Sequence, residues 1–278
     1  MIEPWVRPTA FAITFAIMFV LESLFPRRIR TENRIARTWN NLLLSFFNTA
    51  AFRFIPFLSA VGTANLAESK KLGLFHMWNV PIALQYVLVV ILLDLLIYWQ
   101  HVAFHRIPIL WQIHRVHHAD HDLDASSGLR FHPIEIAISL LIKSLAVLAL
   151  GASPESVILF EVILNSCAIF NHSNLKLSQN IDQLLRLLLV TPDMHRVHHS
   201  IHRDETRCNY GFNIPWWDRM FHTYKAQPRE PHEKMQLGVP EFPDSQQTIS
   251  ILSMLLIPFK DRPQDDSVAK QNETRIPR

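Results

Sequence analysis

Apolar residues are gathered into long runs separated by short polar stretches. Runs of helical length suit a bilayer, which takes about 17–25 residues per crossing. The first runs from Thr9 to Phe25 and the second from Trp39 to Val61, interrupted by Arg53. The third is Pro81 to Gln100. Pro133 to Leu150 and Glu155 to Phe170 follow as a hairpin, joined by Gly151-Ala152-Ser153-Pro154. The pattern predicts four spans and a candidate fifth. The hairpin is read either as two full spans or as a shallower re-entrant pair. Asp182 to Val190 and Thr248 to Phe259 are too short to span and read as interfacial segments. Residues Thr191 to Tyr224 are polar with interspersed aromatics, which predicts a cap at the membrane surface. The tail from Lys260 is charged and reads as disordered. No small-residue cleavage site follows the first apolar run, so that run is expected to be retained.

Fold class follows: an all-α, multi-pass membrane bundle carrying a helical cap. The expected divisions are 1–80 for N-terminal membrane helices and loop, 81–225 for a catalytic domain, and 226–278 for a cytoplasmic tail. Composition agrees. Hydrophobic residues make up 49% and charged residues 18% of the chain, below the roughly 25% charged content of soluble domains. A net charge of +3 gives no case for nucleic acid. The two cysteines, Cys167 and Cys208, do not form a disulfide framework.

Charge also suggests an orientation. Arg27, Arg28, Arg30, Arg34 and Arg37 follow the first apolar run, and short Arg-rich loops stay cytoplasmic. Counting spans onward, the loop Gly62 to Val80 is expected outside. All the histidine clusters then fall on the cytoplasmic side.

Histidine is the chemical anomaly, with 15 residues. His101 and His105 close the third run. His114-Arg-Val-His117-His118 follows it, and His195-Arg-Val-His198-His199 repeats the pattern. Residues three and four apart share a helix face, so each HxxHH turn is predicted to be a metal half-site. His132 precedes the fourth run and His172 follows the fifth, where the hairpin returns both to the clusters. Isolated His76 and His232 read as ordinary core or surface residues. His121, His202 and His222 suit a supporting role as well as ligation. A structural zinc site needs four ligands, usually with Cys. Eight to ten imidazoles exceed that need and favour two metals, while imidazole alone does not choose among Fe, Zn, Cu and Ni. Two irons with open positions activate dioxygen, and a membrane setting makes a lipid the substrate.

These residues resemble the fatty acid hydroxylase and sterol desaturase superfamily. The resemblance runs from Asp94 to Tyr224. It is carried by Asp94-Leu-Leu-Ile-Tyr98-Trp99-Gln-His101, His105-Arg-Ile-Pro108-Ile-Leu-Trp111 and His114-Arg-Val-His117-His118. It continues in Arg130-Phe-His132-Pro133-Ile-Glu135, Asn171-His172-Ser173 and Thr191-Pro-Asp-Met-His195-Arg-Val-His198-His199-Ser200. Asn209-Tyr-Gly211 and Trp217-Asp218-Arg-Met-Phe221-His222-Thr-Tyr224 complete it. The resemblance implies a di-iron oxygenase that uses dioxygen to hydroxylate or desaturate a lipid. By position, His101, His105, His114, His117, His118, His195, His198 and His199 match the ligand motifs, and His132 and His172 match the single-His positions. Zinc is a substitute the same ligands admit. Val102 stands where Arg often follows the first His, and His222 where Gly is common. No electron-transfer domain is recognisable, which implies a separate electron-donor protein.

Two readings from other classes compete. A metal transporter places ligands near the bilayer midplane in broken helices, whereas these clusters flank the apolar runs. A metal-dependent hydrolase needs a carboxylate base beside a metal-bound water. Inside the hairpin, Lys143 and Glu161 are nearly equidistant from the turn, and a charge in an apolar run is costly unless paired. The two are expected to form a salt bridge or share a water.

Overall fold

The computed structural model describes residues 5–52, 55 and 59–260. Arg53 and the tail beyond Lys260 lie outside these residues. The described chain is helical, with two isolated β-bridges, Pro26 with Leu175 and Ser200 with Leu237. In chain order the helices are α1 (Val6–Leu24), α2 (Arg34–Phe52), α3 (Ala60–Lys70), α4 (Leu74–Met77), α5 (Ile82–Arg106), α6 (Pro108–His118) and α7 (Pro133–Leu150). They continue as α8 (Pro154–His172), α9 (Gln179–Leu185), α10 (Pro192–His198), α11 (Arg203–Thr206), α12 (Trp216–Met220) and α13 (Ile251–Leu256).

Among the described residues, α1, α5, α7 and α8 are long and apolar enough to cross a bilayer. The hairpin therefore has two helices of crossing length. Its boundaries are written in local chemistry. Pro133 and Pro154 open α7 and α8 at the first helical position, where a missing N–H costs nothing. Ser153 caps α8 by accepting from the Ser156 N–H. Gly151 ends α7 in the left-handed conformation, φ 66°. This glycine also touches another: a Cβ at Gly151 would lie 2.2 Å from the Leu72 carbonyl oxygen, and one at Gly73 would lie 2.2 Å from the Gly151 nitrogen. The chain end of α3 is thereby seated on the hairpin turn. Gln85 of α5 joins the same end by accepting from the Ser153 N–H at 3.1 Å.

Among the described residues the second apolar run forms no helix long and apolar enough to cross, so the count of four is met with both hairpin helices in place of this run. Its described part is α2, whose buried stripe is Arg37, Asn41, Leu44 and Asn48. Such a stripe needs polar partners, and the protein supplies them. Asn48 donates to the Phe131 carbonyl at 2.8 Å, Asn41 to Ser126 at 3.0 Å, and Arg37 to Asp120 and Asp124. The other face of α2 exposes Trp39, Leu43, Phe46 and Phe47. That is the amphipathic profile of a helix lying in an interface. The segment expected as an external loop, 62–80, is largely the helices α3 and α4.

Burial forces the ionisable groups into pairs. Lys143 of α7 lies 2.8 Å from Glu161 of α8, and Arg7 of α1 reaches the other Glu161 oxygen. The pair predicted within the hairpin is formed, with a third member from α1. The Arg run is equally engaged. Arg27 pairs with Asp193 and Glu233, and Arg30 and Arg34 with Glu22. The Glu22 carboxylate also accepts from the Ala125 and Asn174 N–H groups at 3.0 and 2.9 Å. Asp193 stands two residues before His195, so the Arg run and the His clusters occupy one end of the bundle, opposite the Gly73–Gly151 contact.

Candidate metal centre

Four helices bring the histidines together. His101 and His105 occupy the last turns of α5, and Pro108 starts α6, which carries His114, His117 and His118. His172 is the final residue of α8. Thr191 caps α10, with Pro192 at its first position, and α10 carries His195 and His198 before the chain turns at His199.

Nine imidazoles converge, in two groups. His101, His105, His114, His118 and His198 form one; His117, His172, His195 and His199 form the other. Within each group the candidate ligand nitrogens lie within 4.8 Å of one another, and all nine residues are buried. The expected half-sites are corrected in one respect: neither HxxHH turn serves a single group. Residues i and i+4 stay together, and i+3 crosses to the other group. At 3.6 residues per turn, i+4 sits about 40° to one side of i and i+3 about 60° to the other, so one turn of helix can serve two centres.

The hydrogen bonds fix the tautomers. Nδ1 of His101 donates to the Tyr210 carbonyl at 2.8 Å, and Nδ1 of His198 to the Cys208 carbonyl at 2.7 Å. Nδ1 of His172 donates to the Ala168 carbonyl at 2.7 Å, and Nδ1 of His114 to the Glu135 carboxylate at 2.7 Å. With the proton on Nδ1, each Nε2 is a lone pair. Yet the Nε2 atoms of His101 and His198 face each other at 3.0 Å. His172 Nε2 lies 3.0 Å from the Nε2 atoms of both His117 and His195. The lone pairs of His101 and His198 thus meet head to head, and they repel unless a cation lies between them. Further buried nitrogens have no hydrogen-bond partner: His105 Nε2, His114 Nε2, both of His118, and Nδ1 of His117, His195 and His199. The donor set fits metal ions. The backing of each ring by a carbonyl or carboxylate is the usual support of a metal-bound imidazole.

Burial, reinforced by neighbouring imidazoles, holds His117, His118, His195 and His199 far below the usual histidine range. His198 is pushed down to about 3, chiefly by burial. These rings are therefore neutral near pH 7, as ligation requires.

His132 is not brought into either group. Its Nδ1 accepts from the Ile134 N–H at 3.2 Å, capping α7, and its Nε2 lies 3.3 Å from the Leu255 carbonyl. Both nitrogens face backbone groups and not the two clusters. His121 donates to the Phe242 carbonyl, His202 faces Glu230 at 3.5 Å, and His222 is exposed at φ 58°. None of the three joins the groups. Sequence reading missed Glu135, although it stands in the same short motif as His132. It also missed the lock behind the site, where Arg37 is buried among Asp120, Asp124 and Ser127. Beside Arg37, the Asp120 carboxyl is held down at about 2.

Fold and site together define a polytopic helical membrane protein with a paired, all-histidine centre. The chain belongs to the fatty acid hydroxylase family, whose model matches residues 86–223. It is 26% identical over 224 residues to an ornithine lipid hydroxylase of Rhizobium tropici, covering 78% of this chain and 66% of the relative. It is 31% identical over 147 residues to human alkylglycerol monooxygenase, covering 51% and 30% respectively. It is 28% identical over 145 residues to a Delta(7)-sterol-C5(6)-desaturase of Nicotiana tabacum, covering 50% and 49%. The chain thus spans just under two thirds of the first of these relatives and about a third to a half of the others. No solved structure matches it.

Proposed function

We propose that this protein is a membrane-bound, di-iron oxygenase that hydroxylates or desaturates a lipid with dioxygen. The observation that carries the reading is the pair of buried imidazole groups, with Nδ1 protons turned outward and lone pairs turned inward, in a chain of this family. His101, His105, His114, His118 and His198 would hold one iron; His117, His172, His195 and His199 would hold the other. The irons, when bound, supply the activation of dioxygen needed to attack an unactivated C–H bond. The chain's own part is to position and to insulate. The carbonyls of Tyr210, Cys208 and Ala168 aim three rings, and the Glu135 carboxylate holds the His114 proton at Nδ1. Trp111, Phe104 and Phe131 pack against the histidine rings, with centroids 5.1 Å from His105, 5.5 Å from His114 and 4.4 Å from His117 respectively. They keep bulk water from the centre.

The named relatives support a lipid substrate, since they are an ornithine lipid hydroxylase, an alkylglycerol monooxygenase and a sterol desaturase. Electrons come from a separate donor protein in this reading. The Arg run, at the same end as the histidines, supports a cytoplasmic position for the site. The test is iron-loaded protein in lipid nanodiscs with a chemical reductant and oxygen, followed by mass spectrometry of the lipids. Gain of one oxygen atom, or loss of two hydrogens, is the expected product. Two bound irons without any oxygen-dependent lipid product would overturn the activity.

A further inference from the structure

The polypeptide after the last histidine cluster does not stay above α5; it descends beside it. Asp94 lies midway along the 25-residue α5. Its carboxylate accepts from the N–H groups of Asn213 and Ile214 at 3.3 and 3.2 Å, and from Trp217 Nε1 at 2.8 Å. One turn later the Tyr98 hydroxyl meets Thr223 at 2.9 Å, and the Trp99 ring packs on Phe221 with centroids 4.7 Å apart. His101 then bonds the Tyr210 carbonyl. Seven residues separate Asp94 from His101, so at 1.5 Å per residue this segment reaches about 10 Å down α5 from the histidines. A second strip of chain is tied to it. Trp216 Nε1 donates to the Leu187 carbonyl at 2.6 Å, and Arg219 to the Arg186 carbonyl at 2.9 Å.

Every polar group on these two strips that meets α5 is turned inward. What they present outward is mostly apolar, with Gln183, Arg219 and His222 the polar residues exposed beside it. Leu184 is 67% exposed, Leu188 64% and Met220 59%, and Leu187 and Trp216 are also open, as is Trp99 on α5 itself. An apolar surface of this extent marks a contact with something other than water.

We propose that this edge, Leu184, Leu187, Leu188, Trp216 and Met220, is immersed in the hydrocarbon of the leaflet that surrounds the histidine half of α5. The cap is then anchored in the membrane and not merely laid over it. The bilayer is the partner because the edge shares its depth with the middle of an apolar span and continues that span's surface through Trp99 and Phe221. A soluble protein docking there would have to displace the lipid beside α5. The inference rests on the membrane reading of α5 and α7, and the test separates the two.

In a Cys167→Ser, Cys208→Ser background, nitroxide labels are placed singly at Leu188→Cys, Met220→Cys, Leu145→Cys and Gln227→Cys. The protein is held in phosphatidylcholine nanodiscs at one chain per disc. Collision rates with oxygen and with a water-soluble nickel chelate are then compared. Leu145, exposed on α7, reports the span, and Gln227, exposed on the cap, reports water. The expected result is a several-fold excess of oxygen over nickel collisions at 188 and 220, matching 145, with the reverse at 227. Nickel access at 188 and 220 with lipid access at 145 overturns the proposal while leaving the membrane reading intact. Nickel access at 145 as well overturns both. Labels at 188 and 220 immobilised and reached by neither reagent also overturn it, since another part of the protein would then cover the edge.

Discussion

Lys143 of α7 and Glu161 of α8 meet at 2.8 Å, both almost fully buried, and Arg7 of α1 closes on the second carboxylate oxygen. One anion thus serves two cations on two helices. Glu161→Ala strands Lys143 in an apolar bundle, which should cost about 3 kcal/mol or more. Lys143→Met leaves Glu161 paired with Arg7 and should cost much less. Thermal unfolding in detergent distinguishes them; equal losses would show that Arg7 does not stabilise the carboxylate.

Metal stoichiometry tests the division of the histidines. His198→Ala and His117→Ala each remove a ring from a different group, so each should lower bound metal from two ions toward one. His132→Ala should keep both ions and lose only a helix cap, about 1 kcal/mol. Elemental analysis of the purified variants is the measurement. Loss of metal from the His132 variant would reverse its exclusion.

Glu135 acts through His114. Its removal by Glu135→Ala leaves the Nδ1 proton without an acceptor and the ring free to turn. Metal affinity should fall about 10- to 100-fold, the usual effect of losing such a support. Chelator competition measures it. An unchanged affinity would mean that packing alone orients His114.

What the sequence made legible was whatever depends on spacing along one helix. The offsets 0, 3 and 4 put six imidazoles on two faces, and the symmetry of Lys143 and Glu161 about the Gly151 turn put them level. Contacts without a local signature were not legible. The acceptors for His101 and His198 are backbone carbonyls, which any residue carries. Arg37 reads as one more basic loop residue until the fold brings it to Asp120, 83 residues away. The second apolar run misled because counting its apolar residues overlooked that Asn41 and Asn48 share a stripe with Arg37, just ahead of it. His132 shows a different ambiguity: ahead of Pro133 it suits a helix cap, the place it takes here, as well as a ligand.

Acid should weaken the fold through a histidine outside the centre. His232 is buried beside Asp193, Arg196 and Arg27, and burial pushes it down to about 4 from an ordinary 6.5. Above pH 6.5 it is neutral in both folded and unfolded chains and contributes nothing. Below that, the unfolded chain takes up the proton first, so stability falls as pH drops from 6.5 toward 4, by up to about 3 kcal/mol. His232→Asn should flatten that part of the stability-against-pH curve. An unaltered slope would assign it to other groups.

Sidedness follows from the two ends of the bundle. Lys70 closes α3 near the Gly73–Gly151 contact, and Tyr224 lies at the end that holds the histidines. Reporters fused after Lys70 and after Tyr224 should give opposite sides, with the second cytoplasmic. Like signals from the two would contradict the arrangement of the bundle, and opposite signals in the reverse sense would contradict only its orientation.

Both imidazole groups draw a member from α10, and the partners of that helix were made roughly a hundred residues earlier in the chain: His101 faces His198, and His117 faces His199 across 4.7 Å between ring centroids. During synthesis, therefore, neither group is complete while the crossing helices α1, α5, α7 and α8 enter the membrane. The bundle must be threaded and folded back before either metal can be fully enclosed. Loading is then a late event in the life of the molecule, and a chain truncated before α10 would be inserted, helical and chemically inert.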